Sequence, residues 1–148
     1  MSAVKASIDI DAPPAKVWDL VMDPNRLAEW VTIHRKLGAS PEPPLEVGDE
    51  LEQTLHVRGV NFNVHWTVRE ADPPWRAVWE GRGPARSRSR TVYEVQANGD
   101  GTRFEYHNEF TAPGGPLGSA ASRVVMGSGP QREARKSLQR LKKLLEAR

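Results

Sequence analysis

Through the middle of the chain, apolar and polar residues alternate with a period of two, the spacing of a strand buried on one side only. Leu51, Gln53, Leu55 and Val57 share one face, and Glu52, Thr54, His56 and Arg58 the other. After Gly59 the pattern returns, with Phe62, Val64, Trp66 and Val68 set against Asn63, His65, Thr67 and Arg69. Asp72-Pro73-Pro74 marks a turn. Ala77 and Trp79 then alternate with Val78 and Glu80, and Gly81 to Ala85 is expected to turn the chain again. The next strand points Ser89, Thr91, Tyr93 and Val95 inward and Arg86, Arg88, Arg90, Glu94 and Gln96 outward. Asn98-Gly99-Asp100-Gly101 is a strong hairpin signal. Beyond it, Phe104, Tyr106, Asn108 and Phe110 point inward, and Arg103, Glu105, His107 and Glu109 outward. That hairpin sets a register in which Ala97 opposes Thr102, Tyr93 opposes Tyr106 on the inner face, and Arg90 opposes Glu109 on the outer.

The flanks read differently. Lys5 to Ile10 is a short strand, ended by Ala12-Pro13-Pro14. A proline near the first helical turn loses no hydrogen bond, so a helix starts there with Val17, Trp18, Leu20 and Val21 on its apolar side. Asp23-Pro24 breaks it, and Asp23 can cap a second short helix ending near Trp30. Val31 to Leu37 is strand-like, and Ala39 to Leu45 carries three prolines and reads as a loop. At the other end, Pro113-Gly114-Gly115-Pro116-Leu117-Gly118 is a corner leading into a long amphipathic helix from Ser119 to Arg148. Gly127-Ser128-Gly129-Pro130 predicts a kink or break in that helix. A meander with one wet face must bury the other, and no second set of strands exists to cover it. The expected fold is α+β: six to seven curved antiparallel strands around the long C-terminal helix, with two short helices after the first strand. Residues 1–148 read as one domain, without repeat or linker.

Composition narrows the chemistry. Without cysteine the chain makes no disulfide, thiol nucleophile or thiolate metal site. Its four histidines, His34, His56, His65 and His107, show no metal-ligand spacing, so no metal or cofactor is expected. No apolar run approaches a membrane span, and the N-terminus lacks a hydrophobic signal core, so a soluble cytoplasmic protein is the expectation. The formal net charge is only +2. Arg82, Arg86, Arg88 and Arg90 form one basic stretch, and Arg132, Arg135, Lys136, Arg140, Lys142 and Lys143 another. Without interleaved aromatics these read as solvated faces rather than a nucleic-acid surface.

The order of elements, together with Ala12-Pro13-Pro14-Ala15-Lys16-Val17-Trp18, Pro24-Asn25-Arg26-Leu27-Ala28-Glu29-Trp30, Val47-Gly48-Asp49 and Gly99-Asp100-Gly101-Thr102-Arg103, resembles the polyketide cyclase/dehydrase-like branch of the START-like (SRPBCC) superfamily. The pollen-allergen-type helix-grip proteins share that fold. The resemblance covers nearly the whole chain and implies a deep cavity between the sheet and the last helix. It carries over no catalytic motif, since members bind lipids, sterols, polyketides, hormones or aromatic intermediates.

Inward alternation assigns Gln53, Leu55, Val64, Trp66, Trp79, Thr91, Tyr93, Tyr106 and Asn108 to the wall of such a cavity, and Leu117, Ala121, Val124 and Val125 to its lid. The plainer alternative is that the aromatics simply fill the core. Buried amides need partners, which points Gln53 and Asn108 toward ligand or water. Tyr93 and Tyr106 are the inward groups able to polarise a carbonyl, while His34 lies on a strand whose alternation leaves its direction open. No Asp or Glu falls on the inner face of the strong strands, which disfavours carboxylate-driven chemistry. The leading expectation is binding of a small hydrophobic ligand, aromatic or polycyclic, lipid- or polyketide-like. One alternative is an aromatase/cyclase that folds a polyketide-like chain by positioning it. Another is an interaction module whose basic faces dock an acidic partner or an anionic membrane surface.

Overall fold

A computed structural model describes residues 2–57, 59–111 and 128–147. The chain begins with strand β1 (Ser2–Ile10), helix α1 (Pro14–Val21), a 3-10 turn (Pro24–Arg26) and the one-turn helix α2 (Leu27–Trp30). Strands β2 (His34–Leu37), β3 (Glu50–Val57), β4 (Val60–Asp72) and β5 (Arg76–Arg82) follow. A second 3-10 turn (Pro84–Arg86) leads to β6 (Arg88–Asn98) and β7 (Gly101–Thr111), and α3 spans Ser128–Glu146. The seven strands form one curled antiparallel sheet in the order β1-β7-β6-β5-β4-β3-β2, the helix-grip arrangement.

The final hairpin has the register set by its loop. Ala97 opposes Thr102, Tyr93 opposes Tyr106 and Arg90 opposes Glu109, with Gly99 in the left-handed conformation that a two-residue loop requires. No ion pair forms between Arg90 and Glu109 among the described residues; the Glu109 carboxylate lies 3.7 Å from His107 instead. Asp23 caps the first 3-10 turn by accepting from the Asn25 N–H at 3.0 Å. Pro14 is the first residue of α1.

Three expectations need correction. The first strand begins at Ser2 rather than Lys5, pairing with Phe110 of β7. Only His34–Leu37 of the segment from Val31 is strand. Gly81 is not a turn residue: it lies within β5, opposite Trp66 and Ser89, and the turn follows at Pro84–Arg86, which takes Arg86 out of β6. The reason is steric. A Cβ on Gly81 would sit 2.8 Å from the Trp66 ring and 2.9 Å from Val64, so the glycine gives the indole room to lie against the strand. The corner and the predicted start of the long helix lie outside the described residues. Pro130 lies within α3, and the part of the predicted break before Ser128 falls outside the described residues.

α1 packs on β6 and β7, while α3 lies along β1. Side chains of α3 occupy the backbone groups of that strand and the residue beyond it. Gln131 exchanges hydrogen bonds with the Lys5 backbone, Lys142 Nζ donates to the Asp9 carbonyl at 2.8 Å, and Glu146 accepts from the Asp11 N–H at 2.8 Å. The core lies between α1, α2, α3 and the inner face, with Val17, Val21, Met22, Val68, Phe104 and Leu141 fully buried. Among the described residues no helix is long and apolar enough to cross a membrane.

Candidate functional site

The core does not fill the whole inner face. A cavity of about 220 Å³ remains between the sheet, α2 and the first turns of α3. Gln53, Leu55, Val64, Trp66, Trp79, Thr91, Tyr93, Tyr106 and Asn108 all line it. Leu117, Ala121, Val124 and Val125 lie outside the described residues. Each strand contributes by its alternation: on β6, for example, Thr91 and Tyr93 face the space while Val95, two residues on, is packed.

Aromatic rings form the floor. Trp66 meets Trp79 edge-on at 6.1 Å between centroids and an 83° angle, Trp79 tilts against Tyr93 at 5.6 Å, and Tyr93 against Tyr106 at 6.2 Å. Trp30 of α2 closes the row, 6.0 Å from Tyr93 and 6.4 Å from Phe104. Offset and edge-to-face pairs of this kind contribute roughly 0.5–1.5 kcal/mol each beyond their burial. The floor is therefore stiff as well as apolar.

The polar groups divide into satisfied and unsatisfied ones. Trp66 Nε1, which can only donate, gives its proton to Gln53 Oε1 at 2.9 Å. That orients the amide so that Gln53 Nε2 donates to His34 Nδ1 at 2.8 Å, leaving the proton of the neutral imidazole on Nε2. Both ends of the Gln53 amide are thus engaged. His34 is half-buried behind it and does not line the cavity, and burial lowers its pKa. Asn108 Oδ1 accepts from Ser89 at 2.6 Å and from Thr91 at 3.3 Å. Burial pushes the Tyr106 hydroxyl up to about 12, against the opposing effect of hydrogen bonds with Asn108 and Thr91. Burial, then the neighbouring Tyr106, raises Tyr93 further. Both phenols stay protonated at neutral pH and serve as donors, not bases. Two donors are left over. The indole Nε1 atoms of Trp30 and Trp79 are buried in the cavity lining without a hydrogen-bond partner among the described residues.

Several lining residues were not legible as such. Trp30, Val31 and Ile33 come from the segment around α2, and Glu133, Ala134, Ser137 and Leu138 from α3. Glu133 places a carboxylate in a wall whose strands carry none. It accepts from Thr32 Oγ1, and Ser137 Oγ accepts from the Thr32 N–H at 3.0 Å, so α2 and α3 are laced together at the cavity edge. The i, i+4 spacing of Glu133, Ser137 and Leu141 was available in the sequence as a signal for that face. Among the described residues no cluster of His, Asp and Glu is arranged to hold a metal ion.

Known proteins place this arrangement in context. An uncharacterized Mycobacterium tuberculosis protein, Rv1546, is 30% identical over 129 residues, covering 86% of this chain and 90% of its own. The M. tuberculosis toxin Rv0910 is 27% identical over 141 residues, 94% of each chain. Among solved structures, TTHA0849 from Thermus thermophilus superimposes with a TM-score of 0.80 over 99% of this chain and 98% of its own at 18% identity. DynU16, a protein from the dynemicin biosynthetic locus, does so with a TM-score of 0.66 at 18% identity, over 99% of this chain and 48% of its own. At such identities the two structures speak to the fold alone. A family model, polyketide cyclase/dehydrase and lipid transport, matches residues 1–146. A curled sheet gripping a helix, an apolar hollow between them and a match along almost its whole length place the chain in that polyketide cyclase/dehydrase and lipid transport family.

Proposed function

We propose that the protein binds a small, flat, hydrophobic ligand bearing a hydrogen-bond acceptor such as a carbonyl, seated on the aromatic floor. The observation that carries this reading is the cavity floored by Trp66, Trp79, Tyr93 and Tyr106 with a few polar groups among them, to which Trp30 and Trp79 add buried indole donors that no group meets among the described residues. A buried donor left unmet costs about 1–3 kcal/mol. A ligand acceptor that meets it recovers that energy. Size favours a small fused-ring compound. At about 220 Å³ the space lies below the range of roughly 300–1,000 Å³ usual for drug-sized ligands. A sterol or a long folded polyketide chain suits it less well, which sets simple binding ahead of cyclase chemistry. The phenols of Tyr93 and Tyr106, held protonated, would orient a carbonyl in either case.

Fluorescence titration tests the reading, because Trp30, Trp66 and Trp79 lie in the wall and quench when it fills. The panel is fatty acids, sterols and polyphenols, paired with thermal shift. Flat carbonyl-bearing compounds are expected to bind, and Trp79→Phe to weaken them about five- to tenfold while sparing pure hydrocarbons. Absence of any binding at high micromolar concentration would sink the proposal.

A further inference from the structure

A second depression, of about 270 Å³, opens on the outer face of the sheet. It is lined by Arg69, Arg82, Arg88 and Arg90 against only two carboxylates, Glu80 and Glu109. Neither carboxylate serves the last three arginines. Glu80 is held by Arg69 at 3.0 Å, and Glu109 turns to His107 at 3.7 Å. Arg82, Arg88 and Arg90 have no carboxylate partner among the described residues, and Arg82 stands directly opposite Arg88 in the β5–β6 register. Like charges placed directly across a strand pair repel, so the sheet carries a local cost that an anion would reverse. The depression also meets the cavity: Arg88, Ser89 and Thr111 line both.

We propose that Arg82, Arg88 and Arg90 form a rim site for an anionic group, a carboxylate or phosphate, at the end of the molecule whose apolar body fills the cavity. The inference rests on the cavity reading and adds to it the charge and polarity of the ligand: an amphiphile with one acidic end. Guanidinium groups suit this task, since they present forked donors and stay charged at any physiological pH. Thr111, which lines both spaces, offers a further hydroxyl donor to a head group passing between them, while the Ser89 hydroxyl is already committed to Asn108.

The test compares two ligands of one skeleton, naphthylbutanoate and naphthylbutanol, by calorimetry at low salt. The wild-type protein is expected to bind the acid about tenfold more tightly than the alcohol, the sum of three exposed charge contacts. High salt should shrink that ratio, because exposed charges are screened. In the double variant R82Q/R90Q, which leaves the cavity-lining Arg88 in place, the preference should fall at least fivefold while affinity for the alcohol stays unchanged. Should the double variant fold poorly, Arg90→Gln alone is expected to lower the preference two- to threefold. Inorganic phosphate should displace the acid and leave the alcohol bound. Equal binding of the two ligands to the wild type, or a preference that survives the substitutions, would overturn the rim site while leaving the cavity reading intact. Phosphate that binds more tightly than the acid would also overturn it, marking a free-anion site unconnected to the cavity. Failure of both ligands to bind would remove the cavity reading itself, and the rim site with it.

Discussion

The inner face of the sheet has two halves that share strands and alternation yet behave oppositely. In the half under α1, Leu51, Val68, Ala77, Val95 and Phe104 are packed solid. Two residues along the same strands, Gln53, Trp66, Trp79, Tyr93 and Tyr106 border open space. What differs is the cover. α1 brings Val17, Trp18, Leu20 and Val21 down onto one half, whereas the other is spanned by α2 and the N-terminal turns of α3, with small or polar residues such as Ala134 and Ser137 facing it. Where the cavity opens is decided above the sheet as much as on it.

The sharpest way to break that comparison is to damage the packed half. Phe104→Ala is expected to cost about 3–5 kcal/mol of stability, as for other fully buried aromatics, and to leave the affinity of the folded fraction for ligand unchanged. Chemical denaturation together with titration at low temperature checks both. If Phe104→Ala instead abolished binding in folded protein, the halves would not be separable.

A matched pair of substitutions sharpens it. Ala77→Leu overfills the packed half and should cost about 1–3 kcal/mol. Ala134→Leu makes the same change facing the cavity, where room exists, and should alter stability by less than about 0.5 kcal/mol while weakening ligand at least tenfold. Thermal melts and titrations of the two variants side by side decide it.

Much of this was legible in the sequence, and what was not has a physical cause. Alternation reports only which face a side chain takes, so nine of the strand residues lining the cavity, from Gln53 to Asn108, could be read. It cannot report what lies above that face. Trp30 sits in a one-turn helix whose direction depends on docking through Thr32 to Ser137, a contact more than a hundred residues away in sequence. Gly81 looked like a turn because the residue that needs its missing Cβ, Trp66, belongs to another strand. Gln53 looked available to a ligand because its partners, Trp66 and His34, come from two different neighbouring strands.

Smaller effects probe the rim of the open half and the outer face behind it. Ala85 adopts a left-handed backbone, φ 52°, in the turn beside the cavity-lining Pro84. Ala85→Gly should stabilise the fold by about 0.5–1 kcal/mol, read as a rise in Tm.

The two histidines of the β2–β4 edge should give opposite pH slopes. On the outer face His65 is bonded by Glu50 at 2.8 Å and by Glu52, which raises its pKa. Its contribution is therefore full below the unfolded value, near 6.5, and lost as pH rises through the folded one. His65→Gln should cost a few tenths of a kcal/mol, about 0.3–0.5, more at pH 5.5 than at pH 8.5, a small figure because the site is exposed. His34 is lowered by burial, so its contribution holds above the unfolded value and falls as pH drops. His34→Gln should flatten the acid limb. Stability curves of the two variants across that pH range give the slopes directly, and slopes of equal sign would contradict the assignment.

The chain from Trp66 through Gln53 to His34 also wires the wall to acidity. Its polarity runs one way: indole to amide oxygen, amide nitrogen to imidazole. A protonated His34 would present a second donor to Gln53, and the amide could answer only by turning over. Its NH2 group would then face the Trp66 N–H, and that indole would lose its acceptor. Unmet donors in the wall would rise from two groups to four, and a single proton outside the cavity would retune what the cavity prefers to hold.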